Sequence, residues 1–277
     1  MSNITPSPTY ADHAVQREIR LLHNERIAER TYRLRFHSPE IARATAPGQF
    51  IMLRLSGRDD PLLARAFAVY DLNIDEGTVD IVYIVVGKMT GILAESGPGT
   101  RLSAWGPLGN GFPAFTREHV FLVCGGVGIT PMLLTAKAAR RAGAAITLCY
   151  GARSENAFVP VEPFEVLGVE VRFATEDGRR GRRGLVTDLL GDALAEAAGK
   201  PVIAACGPDP MLAAVAALAR NRDVPCYVSL ENVMSCGIGI CFGCVCKTRD
   251  ASGKTDYRRT CVEGPVFDAR EVVWEEG

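Results

Sequence analysis

The sequence has little net charge, few aromatic residues and no long apolar run. It carries 31 Lys and Arg against 32 Asp and Glu in 277 residues, which gives no reason to expect a nucleic acid or an anionic membrane as a partner. No segment approaches the roughly 18 apolar residues that span a bilayer. The polar stretch 1–16 has no apolar centre, so no secretory signal is expected there. These absences make the cytoplasm the expected compartment.

Cysteine, by contrast, is abundant. Nine cysteines in a chain with no sign of export favour metal or redox chemistry over disulfides. Four of them follow the spacing C-x4-C-x2-C with a remote fourth member: Cys236, Cys241, Cys244 and Cys261. Plant-type ferredoxins hold a [2Fe–2S] cluster with this spacing. The interspersed glycines Gly237, Gly239 and Gly243 let the backbone curl and aim amide N–H groups at an anionic cluster.

A zinc site is the main competing interpretation of this motif. Structural zinc sites usually pair two close Cys units, whereas here three cysteines are close together and one is remote. Cys246 could compete as a ligand, although a non-ligating strand position is the simpler expectation. Cys124, Cys149 and Cys226 are expected to pack as small hydrophobic residues in strands.

The pattern of apolar residues divides the chain into three parts. Short alternating runs between about 16 and 105 predict a small antiparallel barrel, and strands alternating with helices from 118 to 221 predict a parallel sheet covered on both faces. The loop-rich remainder is too short for a substantial core, so a metal cluster would stabilise it. The predicted fold is α+β and multi-domain, with an antiparallel β-barrel at 1–115, an α/β parallel-sheet nucleotide domain at 116–224 and a small C-terminal iron–sulfur domain at 225–277.

Two glycine turns lie in the predicted parallel-sheet domain. In the first, Gly125, Gly126 and Gly128 let the backbone approach a dinucleotide, and the helix behind them offers free N–H groups to a pyrophosphate. Thr130 is predicted to cap that helix and Pro131 to be its first residue. A plain tight turn between strand and helix is the alternative.

The second turn, Cys206-Gly207-Pro208, follows another apolar strand. Both turns are expected at the carboxyl ends of parallel strands, where ligands bind. Cys206 is therefore expected at the rim of the sheet, with a buried strand cysteine as the alternative.

The predicted barrel also carries features suited to phosphate. Arg65 begins an apolar strand, where its guanidinium could bind a diphosphate in a forked geometry; a solvated arginine at a strand edge is the alternative. The segment 87–91 precedes the short amphipathic stretch Ile92–Glu95, which is consistent with a second helix N-terminus facing phosphate.

Taken in order, these motifs resemble the ferredoxin–NADP reductase superfamily, in which the barrel binds a flavin and the α/β domain binds a nicotinamide nucleotide. They are Arg65-Ala-Phe-Ala68, Gly87-x-x-Thr90, Gly106-Pro-Leu-Gly-Asn-Gly-Phe112, the first glycine turn and Cys206-Gly-Pro…Met211. The segment Ser229-Leu-Glu-Asn-Val-Met-Ser-Cys236 through Cys261 narrows the resemblance to the electron-transfer subunits of NAD-dependent (type B) dihydroorotate dehydrogenases.

The resemblance implies site residues in all three parts. The residues it implies for FAD are Arg65 on the pyrophosphate, Ala66, Phe67, Ala68, Val82, Tyr83, Ile84, Met89 and Thr90. Those implied for NAD(P) are Gly125, Gly126, Gly128, Thr130, Gly207 and Pro208, with Cys206 as the catalytic residue. The implied cluster ligands are Cys236, Cys241, Cys244 and Cys261.

Two departures from the family pattern stand out. Ala66 replaces the usual proline and Ala68 the usual hydroxyl residue, which would lie near flavin N5 and whose loss could alter the flavin potential or the hydride geometry. The loop 178–184 carries four arginines. A solvated turn is the simplest interpretation of it, but it could also read an NADP 2′-phosphate or dock an acidic partner.

The function that the resemblance implies is a redox relay in pyrimidine biosynthesis. Electrons would pass between a partner dehydrogenase and NAD(P) through the [2Fe–2S] cluster and FAD, with the protein positioning the cofactors. The partner would be a catalytic subunit containing FMN, in a heterotetramer of two of each subunit. The chain shows no pyrimidine site of its own, so it should not turn over dihydroorotate alone.

Three alternatives remain open at this point. One is a stand-alone NAD(P)H reductase that serves an oxygenase or a ferredoxin. Another is the small subunit of a bifurcating ferredoxin oxidoreductase, although relatives of that type can have an aspartate at the position of Cys236. The third is a sensor that binds a nucleotide and a metal without turnover.

Overall fold

The computed structural model describes residues 14–116, 118–197 and 199–274. The strands are β1 Val15–Ala28, β2 Thr31–His37, β3 Phe50–Leu55, β4 Arg65–Asn73, β5 Thr78–Ile84, β6 Arg101–Leu108, β7 His119–Gly125, β8 Ala145–Ala152, β9 Glu170–Thr175, β10 Arg182–Arg183, β11 Pro201–Cys206, β12 Cys226–Ser229, β13 Val245–Arg249, β14 Thr255–Arg259 and β15 Val266–Asp268. The α-helices are α1 Pro39–Ala44, α2 Lys88–Ala94, α3 Met132–Arg141, α4 Glu162–Val166, α5 Val186–Glu196 and α6 Asp209–Asn221. Within these ranges, none of the helices combines the length and the apolar character that crossing a membrane requires.

The first part of the chain is a closed barrel. Its strand order is β1-β2-β5-β4-β3-β6, with β1 pairing with both β2 and β6. Inward residues such as Leu34, Phe36 and Ile81 are fully buried, as the alternating pattern predicts. Strand β1 was not among the predicted strands, because only Ile19 and Leu21 of its side chains are buried. The predicted antiparallel barrel is confirmed.

The second part is built on a sheet in the order β10-β9-β8-β7-β11-β12-β15, parallel except for the last pair. Alternate residues of β7 point to opposite faces. Leu122 belongs to an apolar cluster that includes Met132 of α3, and Phe121 belongs to another that includes Leu190 of α5 and Leu212 of α6. Helices therefore cover both faces of the sheet, as predicted.

The C-terminal segment is tied to this sheet at both ends. Strand β12 pairs in parallel with β11, and β15 pairs antiparallel with β12. Between them, residues 230–265 form loops and the hairpin β13–β14. The predicted boundary before Pro225 thus falls between two hydrogen-bonded strands of one sheet.

Candidate functional site

A cavity of about 350 Å³ lies where the barrel, the parallel sheet and the C-terminal segment meet. Eleven of the residues that the resemblance implies line it: Arg65, Ala66, Phe67, Ala68, Val82, Tyr83, Ile84, Met89, Thr90, Thr130 and Cys206. Residues far apart in sequence therefore share one cavity, which is the arrangement expected of a cofactor site.

Strand β4 forms the barrel wall of this cavity. Ala66 and Ala68 are half-buried and pair with Met52 and Phe50 of β3, while Phe67 is buried in the barrel core. The wall is consequently apolar along β4, where the side chains of Ala66 and Ala68 end at a methyl group. Neither alanine offers a side-chain hydrogen bond to a ligand.

Arg65 stands at the exposed start of this wall. Its Nη1 donates hydrogen bonds to the carbonyl oxygens of Leu63 and Ala64, at 3.0 and 2.9 Å. These contacts orient the guanidinium group at the cavity, and among the described residues no carboxylate forms an ion pair with it. Its charge is thus available to an anionic ligand.

The turn before α2 differs from the prediction. The helix begins at Lys88 rather than near Ile92. The Thr90 hydroxyl accepts hydrogen bonds from the N–H groups of Val86 and Gly87, at 3.0 and 3.1 Å, and donates to the Gly87 carbonyl oxygen. Thr90 therefore shapes this turn, and its contact with a phosphate stays a prediction.

The first glycine turn contains a 3₁₀ segment, Gly126–Ile129, that the sequence did not indicate. Thr130 already has helical backbone angles, and its hydroxyl donates to the Val127 carbonyl oxygen at 2.9 Å. The helix α3 begins at Met132 with Pro131 as its N-cap. The prediction of Thr130 as the cap and Pro131 as the first helical residue is wrong, because the 3₁₀ segment starts the helical conformation early.

The two glycine turns touch each other. A Cβ atom on Gly128 would lie 2.2 Å from the carbonyl oxygen of Cys206, so only glycine fits there. A Cβ on Gly125 would meet Met211 and Pro208. Gly125, Gly126, Gly128, Gly207 and Pro208 therefore gather at one edge of the sheet, beside the cavity but not in its lining.

Cys206 is the last residue of β11 and is 3% exposed, yet it contributes to the cavity wall. Its Sγ lies 3.9 Å from Oε1 of Glu231. Burial raises the pKa of Cys206 well above its usual range, and the nearby Glu231 raises it further. The thiol is therefore protonated at neutral pH and can donate a hydrogen bond, but it is not a nucleophile.

Glu231 belongs to a group of cavity residues that the sequence reasoning missed as site residues: Ser229, Leu230, Glu231 and Asn232. Glu231 reaches solvent through the cavity, but protein atoms crowd its carboxyl group; this burial raises its pKa, and Asp209 raises it further. The signal was the strand β12, which ends at Ser229 on the same edge of the sheet as β7 and β11. At four residues, it was too short to recognise.

The four motif cysteines form two pairs. The thiol of Cys236 interacts with that of Cys241 and the thiol of Cys261 with that of Cys244, while a weaker electrostatic interaction links Cys261 with Cys236. Across the described ranges, no set of three or more metal-ligating side chains converges on one point. Two pairs of thiols suit two irons with two protein ligands each, and they fit a single tetrahedral zinc ion less well.

The loop around the first pair is arranged to stabilise thiolates. The N–H of Ile238 lies 3.4 Å from the Sγ of Cys236, and the N–H of Gly243 lies 3.5 Å from the Sγ of Cys241. Burial raises the pKa of Cys236, but hydrogen bonds from the backbone of Cys241 and Ile238 outweigh it and lower this pKa to about 7. An anionic ligand is thus favoured in the conformation observed.

The same loop is docked on the barrel. Trp105 Nε1 of β6 donates to the Cys236 carbonyl oxygen at 3.1 Å. Gly237 has φ +70°, and a Cβ there would lie 2.5 Å from Cγ of Met52. A side chain at position 237 would consequently lift the loop off the barrel.

One apolar cluster joins the cavity to the second cysteine pair. Phe50 and Met234 line the cavity, and both belong to an apolar cluster with Cys244 and Cys261. The cavity and the cysteines are therefore neighbours in a single packed unit.

The basic loop after β9 is partly occupied by its own domain. The guanidinium of Arg180 lies 3.9 Å from the centre of the Phe173 ring, Arg182 pairs with Asp192, and Arg179 approaches Asp177. These contacts fit a solvated turn, and binding of a 2′-phosphate stays a prediction.

Comparison with known proteins identifies the family. A dihydroorotate dehydrogenase B (NAD(+)) electron transfer subunit from Bacillus caldolyticus is 39% identical over 250 residues, which are 89% of this chain and 94% of the relative. The chain belongs to this family. Another electron transfer subunit of dihydroorotate dehydrogenase B, from Caldanaerobacter subterraneus, is 40% identical over 255 residues, or 92% of this chain and 97% of the relative.

Family profiles match the three parts of this dihydroorotate dehydrogenase B family member in order. An oxidoreductase FAD-binding domain matches residues 18–112, an oxidoreductase NAD-binding domain 122–217, and the iron–sulfur cluster binding domain of dihydroorotate dehydrogenase B 231–273. Among solved structures, an NADH-dependent reduced ferredoxin–NADP oxidoreductase studied for electron bifurcation is 33% identical with a TM-score of 0.83, over 92% of this chain and 90% of that one. The chain is an oxidoreductase component with FAD, NAD and iron–sulfur domains.

Proposed function

We propose that this subunit passes electrons between a partner dihydroorotate dehydrogenase and NAD, through FAD in the cavity and a [2Fe–2S] cluster on the four motif cysteines. The observation that carries the proposal is that Phe50 and Met234 line the cavity and belong to the same apolar cluster as Cys244 and Cys261. Because electron transfer slows steeply with distance, a cavity and a cysteine pair that share one cluster suit a relay.

The cavity fits a flavin in both shape and charge. Arg65 offers an uncompensated charge for the FAD diphosphate, and the apolar stretch along Ala66, Ala68 and Val82 suits a flat ring system. When bound, FAD would supply hydride exchange with the nicotinamide and single-electron exchange with the cluster. The protein would position the flavin against the nicotinamide and the cluster, and it would exclude water.

The sheet side of the cavity fits the nicotinamide. Val127, Thr130 and Cys206 line it, and the glycine turns beside it present backbone to a pyrophosphate. The protonated Cys206 would orient the ring by a hydrogen bond; in the free protein its thiol donates to Oε1 of Glu231 at 3.9 Å. The preference for NAD over NADP follows the names of the two relatives, both of which specify NAD(+).

The surface around the cluster loop supports a partner subunit. Val233, Ile240 and Phe242 are 84%, 73% and 62% exposed. Phe242 also has a left-handed backbone with φ 54°, an unfavourable conformation for a bulky residue that presents its ring outward. Exposed apolar groups beside a redox centre mark a docking site, and we assign it to a catalytic subunit containing FMN, in a cytoplasmic heterotetramer of two of each.

A second candidate function is that of the small subunit of a bifurcating ferredoxin oxidoreductase. It is suggested by the 33% identity to the NADH-dependent reduced ferredoxin–NADP oxidoreductase that was studied for electron bifurcation. In that case the chain would serve a different flavoprotein partner. Cys236 argues against this second function, because relatives of the bifurcating type can have an aspartate at that position. The N–H of Ile238, 3.4 Å from the Sγ of Cys236, supports its assignment as a ligand.

The test is anaerobic purification with and without the native partner. We expect flavin absorbance at about 450 nm, iron bound to the motif cysteines, and reduction of both centres by NADH. With its partner the complex should reduce NAD with dihydroorotate, and the subunit alone should not. Absence of iron or flavin, or reduction of generic acceptors with no partner found, would overturn the proposal.

A further inference from the structure

Asn232 spans the gap between the cavity and the second cysteine pair. The residue lines the cavity. Its Nδ2 donates to Oγ1 of Thr260 at 2.7 Å and to the carbonyl oxygen of Cys244 at 3.3 Å. One side-chain amide therefore touches the segments of both Cys244 and Cys261, the residue that follows Thr260.

The two segments that Asn232 contacts also bond each other. The N–H of Thr260 donates to the Cys244 carbonyl oxygen at 2.8 Å, and Thr260 is fully buried. Hydrogen bonds in such a buried network are costly to break, because a partner is left unsatisfied. The amide of Asn232 is thus the third member of a junction that sets the separation of Cys244 and Cys261.

Asn232 itself sits in an irregular segment that is anchored at its two ends. Residues 230–234 belong to no strand or helix, but Leu230 and Met234 are each 7% exposed and belong to apolar clusters, and the Leu230 N–H donates to the Pro265 carbonyl oxygen at 2.9 Å. Between these anchors, the amide of Asn232 bonds to the junction, and the same residue lines the cavity.

We propose that Asn232 is a positioning residue that couples the flavin cavity to the Cys244–Cys261 pair. FAD in the cavity restricts residues 229–232, keeps the amide on Cys244 and Thr260, and thereby slows the loss of the cluster. Where FAD also strengthens the equilibrium binding of the cluster, linkage requires that the cluster strengthen FAD binding by the same factor. The inference rests on the proposed function, since it requires both cofactors.

The test measures iron release from the anaerobic holoprotein in excess ferrous chelator, before and after FAD is removed by gel filtration in chaotropic salt. In the native protein, removal of FAD should speed iron release by about tenfold, the effect of one buried hydrogen-bonding group. Asn232→Asp, nearly the same in size but lacking the donor, should release iron fast in both states. FAD affinity should be higher with the cluster than without it in the native protein, and the cluster should not change it in the Asn232→Asp protein.

Matched variants separate this role from simple destabilisation. Thr260→Val removes the acceptor and should behave like Asn232→Asp, while Thr260→Ser keeps the hydroxyl and should behave like the native protein. Val166→Ala, at a position that is 87% exposed and outside the cavity lining, should also leave iron release unchanged. If Asn232→Asp does not fold, the Thr260 pair carries the test.

Two results would overturn the coupling: an Asn232→Asp protein that releases iron at the native rate, or one in which FAD removal speeds release as much as in the native protein. Failure of the proposed function looks different. In that case the native protein itself lacks iron or flavin, whereas here the native protein holds both and only the variant comparison fails.

Discussion

The cysteines of the strands and those of the cluster loop show how the same side chain acquires two chemistries. Cys149 and Cys226 lie in strands, are 0% and 4% exposed, and burial raises the pKa of each to about 12. Cys236 and Cys241 lie in an irregular loop, half-buried and exposed, and hydrogen bonds bring the pKa of Cys236 to about 7.

The difference comes from the backbone. The N–H groups around Cys149 bond to neighbouring strands in the ladder, so none is available to stabilise a negative sulfur. In the loop, the N–H groups of Ile238 and Gly243 have no ladder to join and point at sulfur instead. Local backbone geometry therefore accounts for the lowered pKa of Cys236. The second pair of motif cysteines differs, since Cys244 and Cys261 are buried and burial raises the pKa of Cys261 to about 12.

The sharpest way to break this comparison is to remove one cysteine from each class. Cys241→Ala should abolish the cluster, because one iron loses half of its protein ligands, whereas Cys149→Ala should keep it. Iron content and visible absorbance of the anaerobically purified proteins measure both. A Cys149→Ala protein without iron, with its fold intact by circular dichroism, would contradict the division.

The reactivity of the thiols in iron-free protein gives the next largest effect. At pH 7, iodoacetamide should modify Cys236 at least about 100-fold faster than Cys226, since both the thiolate fraction and the access favour the loop. Peptide mass spectrometry over a time course gives the two rates. Equal rates would mean that the loop does not hold its conformation without iron.

Alkaline pH should destabilise the fold through the buried strand cysteines. The folded pKa of Cys149 is raised to about 12 from an ordinary value of 9.0, so its contribution to stability is complete below pH 9 and is lost as the pH rises toward 12. Cys149→Ala should therefore reduce the fall in unfolding free energy between pH 7 and pH 10 by about 1.4 kcal/mol. Urea denaturation at pH 7 and pH 10 measures the unfolding free energy. Leu148→Ala is the control: it removes no titrating group, so it should lower stability equally at both pH values.

The smallest effect tests how the loop is docked. Trp105→Phe removes the hydrogen bond to the Cys236 carbonyl oxygen, worth about 1 kcal/mol, and should speed iron release about fivefold. Trp274→Phe is the control, because the buried Nε1 of Trp274 has no hydrogen-bond partner among the described residues. If both substitutions speed iron release to a similar extent, the cause is the smaller ring and not the lost hydrogen bond.

Much of the fold could be predicted because buried positions recur in the sequence as regularly spaced apolar residues. Strands such as β2 and β7 alternate or run apolar and were found, while β1, with two buried side chains, left no such trace. The motif segments of the cavity were recognisable because glycine, arginine and cysteine stand at fixed spacings. Asn232 and Glu231 were not, since their role depends on β12 ending at the same edge as β11, which is a tertiary fact. The cap at Thr130 failed for a similar reason, a 3₁₀ segment without a sequence signature.

The return of the chain to the sheet at β15 makes the cluster segment an exchangeable insertion. Ser229 and Val266 lie opposite each other in register, so the ends of the segment are adjacent, and a hairpin turn of about two residues could in principle join them. A reductase of this architecture could thus gain or lose an electron outlet by one internal exchange, with the order of the remaining strands unchanged.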